Sequence, residues 1–219
     1  MYVAIEGVIG VGKTTLARLL QPAFDAEIIL EVFEENPFLS DFYSDRERYA
    51  FQTQIFFLLS RYHQQRRTVM EMVSTGRNVI ADYTFAKDML FARINLKGDE
   101  LDMYYKVHEA LAEKIQKPDL LVYLQASTET LMQRIALRDR PYERQMERAY
   151  IHELNLAYDE FFSRPFDQAP VLTVDSNDLN FVQKPEHLKQ VEDRIRQSLS
   201  LPPFQHSLPS PFGGGQGGG

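Results

Sequence analysis

Gly7 to Thr14 reads GVIGVGKT and fits the pattern G-x-x-x-x-G-K-[ST]. Residues of these types at this spacing bind phosphate. The glycines let successive backbone N–H groups curl around phosphate oxygens, Lys13 reaches the β- and γ-phosphates, and the Thr14 hydroxyl ligates Mg²⁺. A helix beginning here adds its positive N-terminal end. Gly7, Gly10, Val11, Gly12, Lys13, Thr14 and Thr15 are the candidate nucleotide-binding residues, with ATP and Mg²⁺ as the implied cofactors. An apolar run (YVAIE) precedes the motif and a helical pattern follows it, as a phosphate loop requires. No N-K-x-D element for guanine recognition and no D-x-x-G after a strand accompany it, which disfavours a GTPase switch.

Glu31 ends the second apolar run and Asp82 the third. In an open α/β sheet, ligands sit beyond the carboxyl ends of the strands, so both acids should point towards the phosphate loop. Either could accept a proton from an attacking hydroxyl or help organise Mg²⁺. A single such acid reads as a helix cap or a solvated loop residue, whereas two at successive strand ends beside a phosphate loop read as functional.

Downstream, RIALRDR supplies Arg134, Arg138 and Arg140, followed by Arg144 and Arg148. Arg134 and Arg138 share a helix face at i,i+4, and Pro141 then breaks the helix. Like charges at that spacing repel. An anionic guest explains them better than a solvated face paired with Asp139, Glu143 and Glu147, so an arginine-rich lid over transferring phosphates is expected. Gln54 and Arg61 lie seven apart on one side of a long helical pattern. The Gln amide can read a base edge, and Phe51, Phe56 and Phe57 can stack on it, although core aromatics with a boundary Gln and Arg fit the same pattern. The five histidines lack metal-site spacing.

Elements to position these residues follow from the hydropathy. Short apolar runs at Tyr2–Glu6, Glu27–Leu30, Asn78–Ala81, Leu120–Leu124 and Val171–Val174 predict strands buried on both faces. Helical periods fill Thr14–Phe24, Arg46–Ser74 (with Phe51, Ile55, Leu58 and Leu59 on one face), Leu101–Lys117, Thr128–Arg138, Glu147–Phe162 and Pro185–Leu199. Repeated βα units predict an α/β, doubly wound fold with a five-stranded parallel sheet flanked by helices. The 219 residues suit one domain at 1–199, followed by a flexible tail at 200–219 with four prolines, GGGQGGG and no charged side chain. Zero cysteines exclude a disulfide framework and thiolate metal sites. The net charge of −7 argues against nucleic acid as a partner, and no apolar run approaches the roughly 20 residues of a membrane span. With no leader-like N-terminus, the expectation is a cytoplasmic protein.

Together these residues resemble the deoxynucleoside kinase family, most closely its bacterial deoxyguanosine and deoxyadenosine kinases. The resemblance runs from the phosphate loop to about Asp175 and implies a P-loop kinase fold. ILEVFEENPFLSDFY is similar to the segment in which a Glu deprotonates the 5′-hydroxyl, here Glu31, and Tyr43 matches the Tyr that holds the 3′-hydroxyl. FQTQIFFLLSRY implies Gln54 as base reader with Arg61 as companion, and TFAKD sets Asp88 where the family often has a base-contacting Asp. RIALRDRPYE resembles the lid, with Arg134, Arg138 and Arg140 towards the phosphates and Glu143 towards the sugar. One departure is Asp82-Tyr83-Thr84, where most of the family carries Asp/Glu-Arg-Ser; the A-D-Y form is similar to bacterial deoxyguanosine kinases. The implied activity is ATP-dependent phosphorylation of a purine deoxynucleoside by a homodimer joined through Arg46–Ser74 and Leu101–Lys117. Rival readings are a nucleoside-monophosphate or other small-molecule kinase, and a non-catalytic ATP-binding regulator.

Overall fold

The computed structural model describes residues 1–33, 35–164 and 169–204. Its centre is a five-stranded sheet in the order β2-β3-β1-β4-β5, built from Tyr2–Glu6 (β1), Ala26–Ile29 (β2), Asn78–Ala81 (β3), Leu120–Gln125 (β4) and Val171–Asp175 (β5). All four pairings are parallel. β1 and β4 are buried almost throughout, as their runs of mostly apolar residues require of strands covered on both faces. The chain builds β2 and β3 on one side of β1 and β4 and β5 on the other, so strand order reverses at β1. Ligands bind at such a switch point.

Helices Lys13–Phe24 (α1), Leu39–Ser44 (α2), Arg46–Gln64 (α3), Met70–Ser74 (α4), Lys87–Asn95 (α5), Gly98–Ala112 (α6), Thr128–Arg138 (α7), Arg148–Ser163 (α8) and Pro185–Ser198 (α9) surround the sheet. The long helix expected at Arg46–Ser74 is three consecutive pieces, since Gln65–Val69 widens into a π-turn between α3 and α4. The widened turn directs both Gln64 and Gln65 inward, where they donate to the Leu30 carbonyl (2.9 Å) and to the Tyr2 hydroxyl (3.1 Å). Of the face predicted for this helix, Leu58 is buried, Phe51 and Ile55 are half-buried, and Leu59 is exposed. α2 and α5 were not among the expected helices.

No helix among the described residues is long and apolar enough to cross a membrane. The segment expected as a tail, 200–219, is described as far as Phe204. The Arg196 guanidinium donates to the Pro202 carbonyl at 3.0 Å and lies over the Phe204 ring, which ties residues 200–204 to α9. The remainder of that segment, 205–219, lies outside the described residues.

Candidate active site

The carboxyl ends of β1, β2 and β3 set the site. Register pairs Ala81 with both Ala4 and Ile29, so Gly7, Glu31 and Asp82 emerge side by side. Between β1 and α1 the phosphate loop turns through positive φ at Gly7 (147°), Gly10 (88°) and Gly12 (107°), conformations that side chains disfavour. At Gly10 space is limiting as well, because a Cβ would stand 2.8 Å from Ile135 Cγ1 and 3.0 Å from the Leu131 carbonyl oxygen. α7 thereby packs on the outside of the loop.

Lys13 curls back over the loop and donates to the carbonyls of Gly7 (2.6 Å) and Val8 (3.2 Å). Burial and the facing Lys87 ammonium pull its pKa from 10.5 down to about 8, against the opposing pull of Glu6, Glu31 and Asp82. Thr14 donates its hydroxyl to Asp82 Oδ2 at 2.5 Å, and the Glu31 backbone N–H donates to Asp82 Oδ1 at 2.8 Å. Gly7, Gly10, Gly12, Lys13, Thr14 and Thr15 line a cavity of about 260 Å³, while Val11 is buried beneath the loop.

Glu31 stands midway along this cavity. Its carboxylate accepts from Arg61 (Nε, 2.8 Å, and Nη2) and from Lys87 Nζ (2.7 Å). Burial alone would raise its pKa, but the Arg61 and Lys87 charges and hydrogen bonds outweigh it and hold the carboxyl well below the usual carboxylate range. Arg61 is itself buried and bridges Glu31 to Asp88. Beyond Glu31 the walls are Gln54, Phe57, Tyr43, Phe42 and Tyr150. Of the three phenylalanines that could stack on a base, Phe57 reaches this wall, whereas Phe51 and Phe56 do not line it. Gln54 is buried and its Oε1 has no partner among the described residues. Tyr43 meets Phe42 and Tyr150 edge-on, and burial raises its hydroxyl pKa well above 10.

The far wall is the predicted lid. A 3₁₀ turn at Pro141–Glu143 swings Glu143 inward, where its carboxylate accepts from Arg138 Nε (3.1 Å) and Nη2 (2.5 Å). Arg140 approaches Glu143 at 3.8 Å and stacks on Phe33. Two of the expected site residues lie off the cavity wall. Arg134 does not line the cavity: its guanidinium donates to the Val11 carbonyl (3.1 Å) and the Ser176 carbonyl (2.6 Å), because Leu131 and Ile135 fix α7 against the loop's outer face. Asp88 is fully buried behind Arg61 and is absent from the cavity wall; it acts on the site through Arg61. Arg144 and Arg148 form exposed pairs with Asp139 and Glu129.

Three residues escaped the sequence reading. Lys87 lines the cavity and holds Glu31. Fully buried Glu6 accepts from the Gly7 N–H (3.3 Å), the Thr84 N–H (2.6 Å) and hydroxyl (2.9 Å), and the Tyr158 hydroxyl (3.2 Å), tying the phosphate loop to the segment after β3. Gln64 accepts from the Tyr83 hydroxyl at 2.6 Å while holding Leu30, so Tyr83 turns away from the cavity and steadies the backbone before Glu31. Only the position of Lys87, one residue before Asp88, offered a sequence signal.

A family model described as deoxynucleoside kinase matches residues 3–200. A deoxyguanosine kinase of Bacillus subtilis (strain 168) is 35% identical over 201 residues, 90% of this chain and 97% of that protein. A deoxyadenosine kinase of Dictyostelium discoideum is 33% identical over 220 residues, 98% of this chain and 86% of its own length. Among solved structures, a deoxyadenosine kinase from M. mycoides with bound dATP superposes with a TM-score of 0.77 at 26% identity, covering 90% of this chain and 99% of the other.

Proposed function

The chain belongs to the deoxynucleoside kinase family, and from that membership we propose that it transfers the γ-phosphoryl group of ATP to the 5′-hydroxyl of a purine deoxynucleoside, deoxyguanosine first and deoxyadenosine second, in nucleotide salvage. It is a kinase with the P-loop nucleoside kinase fold. The observation that carries the substrate reading is one cavity that joins Lys13 and Thr14, then Glu31, then Gln54 and Tyr43. Cationic and glycine-rich at one end, it is aromatic and hydrogen-bonding at the other, with an ionised carboxylate between.

The 5′-oxygen attacks the γ-phosphorus. A new O–P bond forms as the bond from that phosphorus to the β–γ bridging oxygen breaks, and the diphosphate leaves with the electron pair. The 5′-hydroxyl proton passes to Glu31. Such a firmly ionised carboxylate orients the hydroxyl and takes its proton late, which suits loose phosphoryl transfer dominated by positioning and charge neutralisation. Arg138 and Arg140 close over the transferring group, and Tyr43 with Glu143 holds the 3′-hydroxyl.

Among the described residues no three His, Asp or Glu side chains cluster as a self-sufficient metal site. Thr14 Oγ1 and Asp82 Oδ2 offer two hard oxygens, which fits Mg²⁺, an ion held by one or two protein groups plus substrate phosphates. Bound there, the ion supplies charge neutralisation on the phosphates.

For the base, the unpartnered Gln54 Oε1 accepts an N–H, and Arg61 keeps donors for a base oxygen. Guanine offers both through N1–H and O6, whereas adenine offers no oxygen. The relatives named deoxyguanosine kinase support the same order. A coupled assay with ATP and Mg²⁺ across deoxyguanosine, deoxyadenosine, deoxycytidine, thymidine and their monophosphates tests the reading, and preferred turnover of a monophosphate would overturn it. Exposed Leu59 on α3 and Met103 on α6 support a homodimer through those helices; a monomer in sedimentation equilibrium would remove that part.

A further inference from the structure

The reacting centre of a phosphoryl transferase must keep its base ionised while bringing positive charge to the phosphoryl group. Position 83, where the resemblance leads one to expect an arginine, cannot serve here. Tyr83 is fully buried, directed away from the cavity and committed to Gln64.

The lysine beside Glu31 on the cavity wall is Lys87, at the first turn of α5. Only 4% of this residue is exposed, yet it faces the cavity with Nζ 2.7 Å from Glu31 Oε2 and 5.6 Å from the centre of the Phe91 ring. Burying an ammonium is costly unless it is paired, and a surface lysine can reach water instead. Lys87 is therefore held where its charge has a use.

Charge bookkeeping in this cluster says what the use is. Glu31 and Asp88 carry two negative charges and Arg61 and Lys87 two positive ones, so the buried group is neutral while Glu31 is ionised. When Glu31 takes the 5′-hydroxyl proton, the cluster gains one net positive charge. At that moment the acceptor oxygen has become part of an anionic phosphate. Arg61 stays committed to Asp88, which leaves Lys87 as the cation released from its partner.

We propose that Lys87 is the cation that meets the transferred phosphoryl group on the acceptor side, replacing in space the arginine that position 83 lacks. Lys13 and the phosphate loop serve the donor side, and Arg138 and Arg140 the lid. Lys87 serves the nucleoside side, pairing with Glu31 before transfer and with the new 5′-phosphate after it. The proposal rests on the deoxynucleoside kinase reading of the cavity.

The test compares binding of a neutral acceptor with binding of its phosphorylated product. Calorimetry on wild-type protein, Lys87→Met and Lys87→Arg would use deoxyguanosine and deoxyguanosine 5′-monophosphate, with steady-state kinetics alongside. Losing one charge-assisted contact should weaken monophosphate binding by Lys87→Met about 10- to 100-fold, with deoxyguanosine affinity held within roughly threefold because its hydroxyl carries no charge. The kcat should fall about 100-fold with little change in KM for the nucleoside. Lys87→Arg should recover most of the monophosphate affinity. If Lys87→Met does not fold, Lys87→Gln carries the same comparison. Unchanged monophosphate affinity overturns the proposal, and so does an equal loss for both ligands, which would mark Lys87 as merely structural. Failure of the wild-type protein to phosphorylate any deoxynucleoside defeats the function reading and this proposal together. Wild-type turnover with an unselective Lys87→Met loss defeats this proposal alone.

Discussion

Asp82 accepts the Glu31 backbone N–H through Oδ1 at 2.8 Å while its Oδ2 accepts the Thr14 hydroxyl at 2.5 Å. One carboxylate therefore fixes the distance between the phosphate loop and the segment that carries Glu31. Asp82→Asn keeps the shape but puts an NH₂ against one of two donors. The expected result is a drop in kcat of about 100-fold, the scale on which small misplacements act, together with a weaker response to added Mg²⁺. Measured kcat within threefold of wild type across a Mg²⁺ titration would show that Asp82 bridges nothing of catalytic use.

Glu31 meets the acceptor in the proposed mechanism, so Glu31→Gln should lower kcat by about 10²- to 10⁴-fold, the range for a general base. KM for ATP should hardly move, since Lys13 and the loop remain. The change leaves Arg61 and Lys87 with one carboxylate fewer in a buried site, so thermal stability should fall as well. Full activity in Glu31→Gln would move the base elsewhere, with Asp82 the next acid on the wall.

Gly10 and Gly12 separate two costs that a phosphate loop imposes. Both hold positive φ, 88° and 107°. An added Cβ at Gly10 collides with Ile135 and Leu131, whereas at Gly12 nothing lies within 4 Å. Gly12→Ala should cost about 1–2 kcal/mol of backbone strain. Gly10→Ala should add about 1–3 kcal/mol of overpacking to that and push α7, with its lid arginines, outward. Denaturant melts of the two variants check the order, and equal stabilities would contradict the packing of α7 on the loop.

How legible the site was depended on whether charge interrupted a pattern. The strands read clearly because β1 and β4 are apolar on both faces up to their last residues, Glu6 and Gln125. Thr128–Arg138 was predicted to the residue, with Ser127 capping the Thr130 N–H and Pro141 just beyond. α5 was invisible for the reason that makes it matter: its buried positions include Lys87 and Asp88, so it carries no apolar period. Glu6 passed as the end of a strand because nothing local says that Thr84 and Tyr158 converge on it. Arg134 and Arg138 shared a face as expected, yet one turn of α7 separates carbonyls of the loop's outer side from the cavity. A spacing rule tells which side chains align, and only the packing of Gly10 on Ile135 tells what they face.

His108 offers a test of the core that α6 forms against the segment after β3. It is buried on α6, stacked on Phe85 at 4.7 Å and near Tyr104, with Nε2 3.5 Å from the Phe85 carbonyl. Burial lowers its pKa from 6.5, only partly opposed by that carbonyl. A histidine whose folded pKa is depressed contributes stability that is present above the unfolded value and lost as pH falls below it through the folded value. The protein should therefore lose stability from about pH 6.5 downward, by up to about 1.4 kcal/mol per pH unit from this group. His108→Phe keeps a ring in the stack and removes the titration, so its unfolding free energy should depend less on pH between 7.5 and 5. Urea melts at several pH values make the comparison. Parallel curves for the two proteins would mean that His108 gains its proton in the folded state as readily as in the unfolded chain.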